Sequence, residues 1–307
     1  MTLALAVDFG GTKVEAALVN EHGQLTDGSR FRAPTGNSSS SEVLVAAVTQ
    51  VMDSALGSLP PGETLIGAGV GSAGPVNREL GLVSPINVAA WRDFDLRGLV
   101  AARVPGVPVV LALDGLCITL AERWVGAGRG SDNLMGMVVS TGVGGGLVIN
   151  GRIITGSTGN AGHIGQIEVA GFTDLDVHGD RASLEEVASG PHTVTWARGQ
   201  GWTGSTGEEL SVAYAAGDPI AIRAVRRSAT AVGRAIASAT ALVDLELVVI
   251  GGGFSKVSTD YFDLIRASVA SFTDHAFLRK AKVVPSGLQS DGPLIGAAVL
   301  AHQPHLL

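Results

Sequence analysis

The chain has 307 residues, 46% hydrophobic and 16% charged, which is enough apolar content for two separate cores and too little charge for a disordered chain. Its formal charge of −7 argues against nucleic acid as a main partner, and its single cysteine, Cys117, excludes an internal disulfide framework and fits the cytoplasm. No charge-free apolar run of about 18 residues marks a membrane span, and the first strand starts so early that no signal peptide is expected.

That first strand belongs to Leu3–Val19, LALAVDFGGTKVEAALV. An apolar run ends at Asp8, turns through Gly10-Gly11-Thr12-Lys13 and resumes as a second apolar run. Glycines at such a turn let backbone N–H groups approach an anion closely. Thr12 and Lys13 add a hydroxyl and a cation, and Asp8 is placed to hold Mg²⁺ through water. The competing reading is an ordinary hairpin with an exposed lysine.

A third strand is expected near Thr26–Arg32. Ser39 with Glu42 resembles a capping box, and Leu44, Ala47, Val48, Val51, Met52 and Ala55 then recur at helical spacing, which predicts a crossover helix ending before Pro60-Pro61. Leu65–Val70 reads as a buried strand that runs into a small-residue segment containing Gly74. The segment Gly81–Leu96 is irregular. Within it Asn87 offers an amide that both donates and accepts, suited to a hydroxyl-rich ligand; alternatively it caps a turn after Pro85.

Pro108–Leu113 is a short apolar strand that ends at Asp114, and a helix with Leu116, Leu120 and Trp124 on one face follows, ended by Gly126 and Gly128. A carboxylate at the carboxyl end of a buried strand sits where α/β sheets bind ligands. It can equally cap the helix, and the two roles coexist only if one oxygen stays free.

Leu134–Ile149, LMGMVVSTGVGGGLVI, repeats the opening pattern: strand, polar tip at Ser140 and Thr141, glycine turn from Gly142, second strand. Asn150-Gly151 then turns the chain as a tight hairpin does. Two such units predict two related α/β lobes, each offering a loop to one polyphosphate. Neither unit fits a Walker P-loop or a dinucleotide fingerprint, because the turn feeds a strand rather than a helix. The duplicated hairpin resembles the phosphate clasp of actin-like and hexokinase-like ATPases.

Further on, His163 lies in a glycine-bracketed turn, and Glu185 and Glu186 open a helix, where either could serve the helix dipole. Asp176, His178 and Asp180 could look like a metal cluster, but no cysteine is nearby and no second histidine stands at i+4, which argues against structural zinc. Residues 191–216 are weakly patterned, with Trp196 and Trp202 expected to pack a helical surface. Asp218-Pro219 opens a long helix carrying Ile222, Val225, Ala229, Val232, Ile236, Ala239 and Val243. Leu245–Ile250 is a strand running into Gly251-Gly252-Gly253, a candidate seat for adenine and ribose or else a plain strand-to-helix turn. Pro293–Ala301 is a closing helix of small residues.

Taken together, Asp8-x-Gly10-Gly11-Thr12-Lys13, the Ser140–Gly146 loop, Ser189-Gly190-Pro191, the Gly251–Gly253 turn and the last helix resemble the ROK family, which contains bacterial sugar kinases and sugar-responsive repressors. The resemblance implies an actin-like (hexokinase/ribonuclease H-like) two-lobed α/β fold. Residues 1–115 would form a small domain completed by a C-terminal helix within 291–307, and residues 116–290 a large domain. It also implies ATP and Mg²⁺ in the cleft, a sugar beside them, and a homodimer. The repressors carry an extra DNA-binding segment before the first strand, and only Met1 and Thr2 stand there, which favours the kinase branch.

Residue by residue, the resemblance implies that Asp114 is the catalytic base. Asp8, Gly10, Gly11, Thr12, Lys13, Thr141, Gly142, Gly251, Gly252 and Gly253 would take the nucleotide, with Asp8 reaching Mg²⁺ through water. Gly74, Asn87, Asp114, His163, Gln166 and Glu185 would line the sugar. The motif Glu-x-Gly-His reads His163-Ile164-Gly165-Gln166, and a histidine at its first position resembles N-acetylmannosamine kinases more than glucokinases. The family's zinc loop reads Asp176–Ser183 and its histidine ligand is Gln166, so no structural zinc is expected. Two asparagines near the catalytic acid are Leu113 and Leu116. The expected function is an ATP-dependent hexose or N-acetylhexosamine kinase acting at a primary hydroxyl, that on C6. The alternative is a catalytically weak, sugar-binding regulatory protein on the same scaffold.

Overall fold

The computed structural model describes residues 2–36, 38–172, 183–272, 274–288 and 290–306. The chain begins with β1 (Thr2–Phe9), β2 (Lys13–Asn20) and β3 (Phe31–Pro34), followed by α1 (Ser41–Gly57) and β4 (Thr64–Ser72). Short strands β5 (Val76–Asn77), β6 (Leu82–Val83) and β7 (Phe94–Asp95) precede α2 (Leu96–Ala101), β8 (Val109–Leu113) and α3 (Asp114–Val125). The second half holds β9 (Leu134–Val139), β10 (Val143–Ile149), β11 (Arg152–Ile154), α4 (Leu184–Ala188), α5 (Gly190–Gly199), α6 (Gly207–Ala215) and α7 (Pro219–Val243). It closes with β12 (Leu247–Gly251), α8 (Tyr261–Phe272), β13 (Lys282–Pro285) and α9 (Gly292–His302).

The two large sheets share one plan. The first runs β3-β2-β1-β4-β8 and the second β11-β10-β9-β12-β13. In each, an antiparallel three-strand meander joins two parallel strands through helical crossovers. Each glycine loop therefore sits at the tip of the leading hairpin of its own sheet, beside the carboxyl ends of the parallel strands, where such sheets bind ligands.

Local chemistry explains most elements. The α1 stripe of Leu44, Ala47, Val48, Val51, Met52 and Ala55 is buried on the first sheet. Its cap is Ser40, accepting from Val43 N, rather than Ser39, because the helix starts one residue later than the Ser-x-x-Glu pattern implies. Asp218 caps α7 by accepting from both Ile220 N and Ala221 N. Asn150 and Gly151 both take positive φ, and Ile149 pairs directly with Arg152 across that two-residue turn. Two expectations shift. The third strand lies at Phe31–Pro34, not Thr26–Arg32, since Thr26–Ser29 is spent on a turn closed by the Ser29 hydroxyl. The segment Gly81–Leu96 is not wholly irregular, because it supplies β6 and β7 to a small separate sheet.

One core cluster covers the first sheet together with α1, α3 and α9; the other lies between the second sheet and α4–α8. Helix α3 bridges the two sheets, and it does so where side chains are missing. A Cβ on Gly115 would come within 2.5 Å of Gly145 N, and one on Gly146 within 2.5 Å of Leu116 Cα. Further along α3, a Cβ on Gly296 of α9 would collide with the Cys117 carbonyl, and one on Gly69 of β4 with that of Ala297. Among the described residues no helix is long and apolar enough to cross a membrane.

Gly69→Ala should therefore destabilise the fold by at least about 3 kcal/mol, because backbone must move to admit a methyl group. Gly57→Ala, at the end of α1 with open space around it, should stabilise by roughly 0.5–1 kcal/mol. Urea unfolding of the two variants checks the contrast.

Candidate active site

Asp114 is the first residue of α3, directly after the buried end of β8. It is not the helix cap: that position falls on Leu113, with no side-chain capping bond. Instead Asp114 Oδ1 accepts from the next amide, Gly115 N, at 2.7 Å, and among the described residues no group donates to Oδ2. Burial raises its pKa to about 6, with the Glu185 charge adding and the Gly115 bond opposing.

A cavity of about 440 Å³ opens above this carboxylate, within the range of small-molecule sites. Its wall brings together Gly10, Gly11 and Thr12 of the first loop, Thr141 and Gly142 of the second, and Gly74, Asn87, Asp114, His163, Gln166 and Glu185. The Pro85–Val88 turn is closed by its own backbone, so the Asn87 amide is not consumed as a cap. The two adjacent glutamates divide the work. Glu186 completes a capping box with Ser183, whereas Glu185 Oε2 accepts from Val143 N at 2.8 Å and faces the cavity. Burial lowers the His163 pKa, against the pull of Glu185, which keeps the ring neutral near pH 7 and able both to donate and to accept. Asn160, which the sequence reading passed over, grips Val76 through N–H (2.8 Å) and C=O (2.6 Å) and so fixes the turn before His163.

A second cavity of about 600 Å³ lies alongside and shares Ser140, Thr141 and Pro191 with the first. Gly253 lines it together with Thr195, Arg198, Thr206, Phe254 and Lys256. Most of this wall comes from residues 191–216, where periodicity is weak. The one available signal was the Thr206-x-x-Glu209 capping box that starts α6.

Four expected nucleotide residues line neither cavity. Gly251 faces Ser286, and Gly252, at φ +97, lies so close to the Val139 carbonyl that a Cβ would collide with it. The Lys13 ammonium is held by Glu15, a buried carboxylate that also binds Arg30 and Arg32. Asp8 lies beneath the first loop; burial first, and then the Asp114 charge, raises its pKa to about 7. Two desolvated acids side by side are a donor set that a divalent cation would relieve, so Asp8 suits Mg²⁺ reached through water. Leu113 and Leu116 are both buried in the first core. Of the loop expected to lack zinc, Asp176 to Ala182 lie outside the described residues, while Gln166 lines the cavity.

The sequence model of the ROK family matches residues 4–304. The chain belongs to the ROK family. A glucokinase of Streptomyces coelicolor is 30% identical over 322 residues, covering 99% of each protein. An N-acetylmannosamine kinase of Yersinia pseudotuberculosis is 30% identical over 306 residues, covering 98% of this chain and 99% of that protein. The crystal structure of a ROK family glucokinase from Streptomyces griseus in complex with glucose and AMPPNP superposes with a TM-score of 0.82 at 30% identity, covering 98% and 99% of the two chains. The ROK fold here is thus the actin-like, hexokinase-type α/β fold, and the three relatives just named are sugar kinases.

Asp8 and Asp114 both hold a proton more tightly in the folded chain than at the ordinary value of 3.8. The folded state thus binds extra protons between about pH 4 and 7, and stability falls as pH rises through that window. Asp8→Asn should match wild-type stability near pH 4 and exceed it at pH 8, in the absence of divalent cations, by up to about 4 kcal/mol. Urea titrations at the two pH values measure this, and an Asp8→Asn protein less stable at pH 8 would contradict it.

Proposed function

We propose that this protein transfers the terminal phosphoryl group of ATP to the primary hydroxyl of a hexose or N-acetylhexosamine, at C6. The observation that carries this reading is Asp114: one oxygen held by Gly115, the other free, in one cavity with both glycine loops and a set of hydroxyl-matching side chains. Asn87, His163 and Glu185 would bind sugar hydroxyls and hold the reacting one against Asp114 Oδ2. As the sugar oxygen attacks the γ-phosphorus, the bond to the β–γ bridging oxygen breaks and ADP leaves, while Asp114 takes the hydroxyl proton.

The amides of Gly10, Gly11, Thr12, Thr141 and Gly142 would grip the phosphate chain, which carries its charge into transfer. Asp8 would hold Mg²⁺ through water, and the ion would supply neutralisation of phosphate charge. The larger cavity beside the second loop, with Gly253 and Phe254, suits the base and ribose. Because the two loops belong to different sheets, their approach around both substrates would exclude water and limit ATP hydrolysis. Support comes from relatives that are glucokinases and an N-acetylmannosamine kinase, and from the glucose and AMPPNP held by the Streptomyces griseus protein.

Asp114→Asn should reduce kcat about 10²–10⁴-fold with nucleotide binding retained. Since Asp114 accepts a proton only when ionised, and its pKa is raised to about 6, wild-type kcat/KM should be level above that value and fall about tenfold per pH unit below it. Coupled ADP release over glucose, mannose, N-acetylglucosamine and N-acetylmannosamine reads both effects. Sugar binding without turnover across the whole panel would instead support a regulatory protein.

A further inference from the structure

We propose that His192 is a direct ligand of the donor's terminal phosphoryl group, supplying the side-chain contact there that Lys13 does not. The proposal rests on the kinase reading above. His192 follows Pro191, which lines both cavities, and is itself among the residues lining the one that holds Asp114. A triphosphate seated with its base in the larger cavity must pass Ser140, Thr141 and Pro191 to bring its end to Asp114, and His192 stands at that passage.

The ring is oriented from behind. Its Nδ1 lies 2.8 Å from the hydroxyl of Ser189, a fully buried side chain. Among the described residues that hydroxyl has no other partner. A buried hydroxyl spends its proton on the acceptor it has, so Ser189 donates to Nδ1. The ring proton then sits on Nε2, the outer nitrogen, as a hydrogen-bond donor free for a ligand.

The cavity's charge makes that donor count. Among the described residues lining it there is no lysine or arginine, and it contains the acids Asp114 and Glu185. The Lys13 ammonium is engaged by Glu15. The other histidine, His163, stands beside Gly74, on the side assigned to the sugar: its Nε2 lies 3.7 Å from where a Cβ on Gly74 would stand. His163 thus faces the sugar side, and His192 is left to face the phosphates.

The test is calorimetric binding of Mg·AMPPNP, Mg·AMP and glucose or N-acetylmannosamine to wild type, His192→Ala, His192→Gln and Ser189→Ala, alongside ADP-release kinetics. His192→Ala should bind AMPPNP about 10- to 100-fold more weakly, the loss expected for one hydrogen bond to a charged group, with AMP and sugar affinity unchanged. His192→Gln, whose amide N–H reaches the place of Nε2–H, should recover most of the loss. Ser189→Ala should show a smaller loss of the same kind. Unchanged AMPPNP affinity in His192→Ala, an equal loss for AMP, or a loss confined to the sugar would overturn the assignment while leaving the kinase reading intact. A wild-type protein that binds no AMPPNP and releases no ADP with any sugar would instead defeat the kinase reading, and the assignment with it.

Discussion

Everything in this fold depends on how closely α3 approaches its neighbours. The helix lies on the second sheet where Gly145 and Gly146 present bare backbone, and α9 meets it through Gly296. Helix α9 in turn reaches the first sheet over Gly69. Contacts of this kind contribute dispersion over many atoms and tolerate no added volume. They fix the start of α3, and with it Asp114, relative to loops that belong to different sheets. If Asp114 is the proposed base, a displacement of about 1 Å would cost about 10²-fold in rate, and on that reading the glycines beneath α3 serve the chemistry from a distance.

The same close packing sets the electrostatics. Asp8 and Asp114 are drawn out of water near one another, and both are shifted toward protonation. Buried carboxyl groups of this kind are costly for folding, and acids so shifted cluster at functional sites. Three cations gather instead on Glu15, and Arg30 carries that cluster to Asp291 at the start of α9. The arrangement holds the first hairpin against the last helix, and it engages the Lys13 ammonium with Glu15.

Much of this was legible beforehand because its causes are local. Strand–glycine–strand units announce hairpins whatever surrounds them, the α1 and α7 stripes follow helical period, and Asp218-Pro219 and Asn150-Gly151 carry their own capping and turn chemistry. Glu185 and Glu186 are indistinguishable by local rules; only the docking of α4 beside the second loop turned one toward Val143 and the cavity and left the other to the cap. Residues 191–216 carried little period, so the wall of the larger cavity went unread until α5 and α6 were packed beside the Gly251–Gly253 turn.

By itself, then, the sequence determined the α/β class, the duplicated hairpins, the family, and the small set of polar residues at strand ends, because turn geometry, periodicity and motif order act over a few residues. Tertiary structure alone decided which glycines line a cavity and which abut a helix. It also decided that Lys13 is engaged by Glu15 and that Ser189 aims His192 into the cleft. Those outcomes depend on volume and charge contributed by segments far apart in the chain, and no local pattern encodes them.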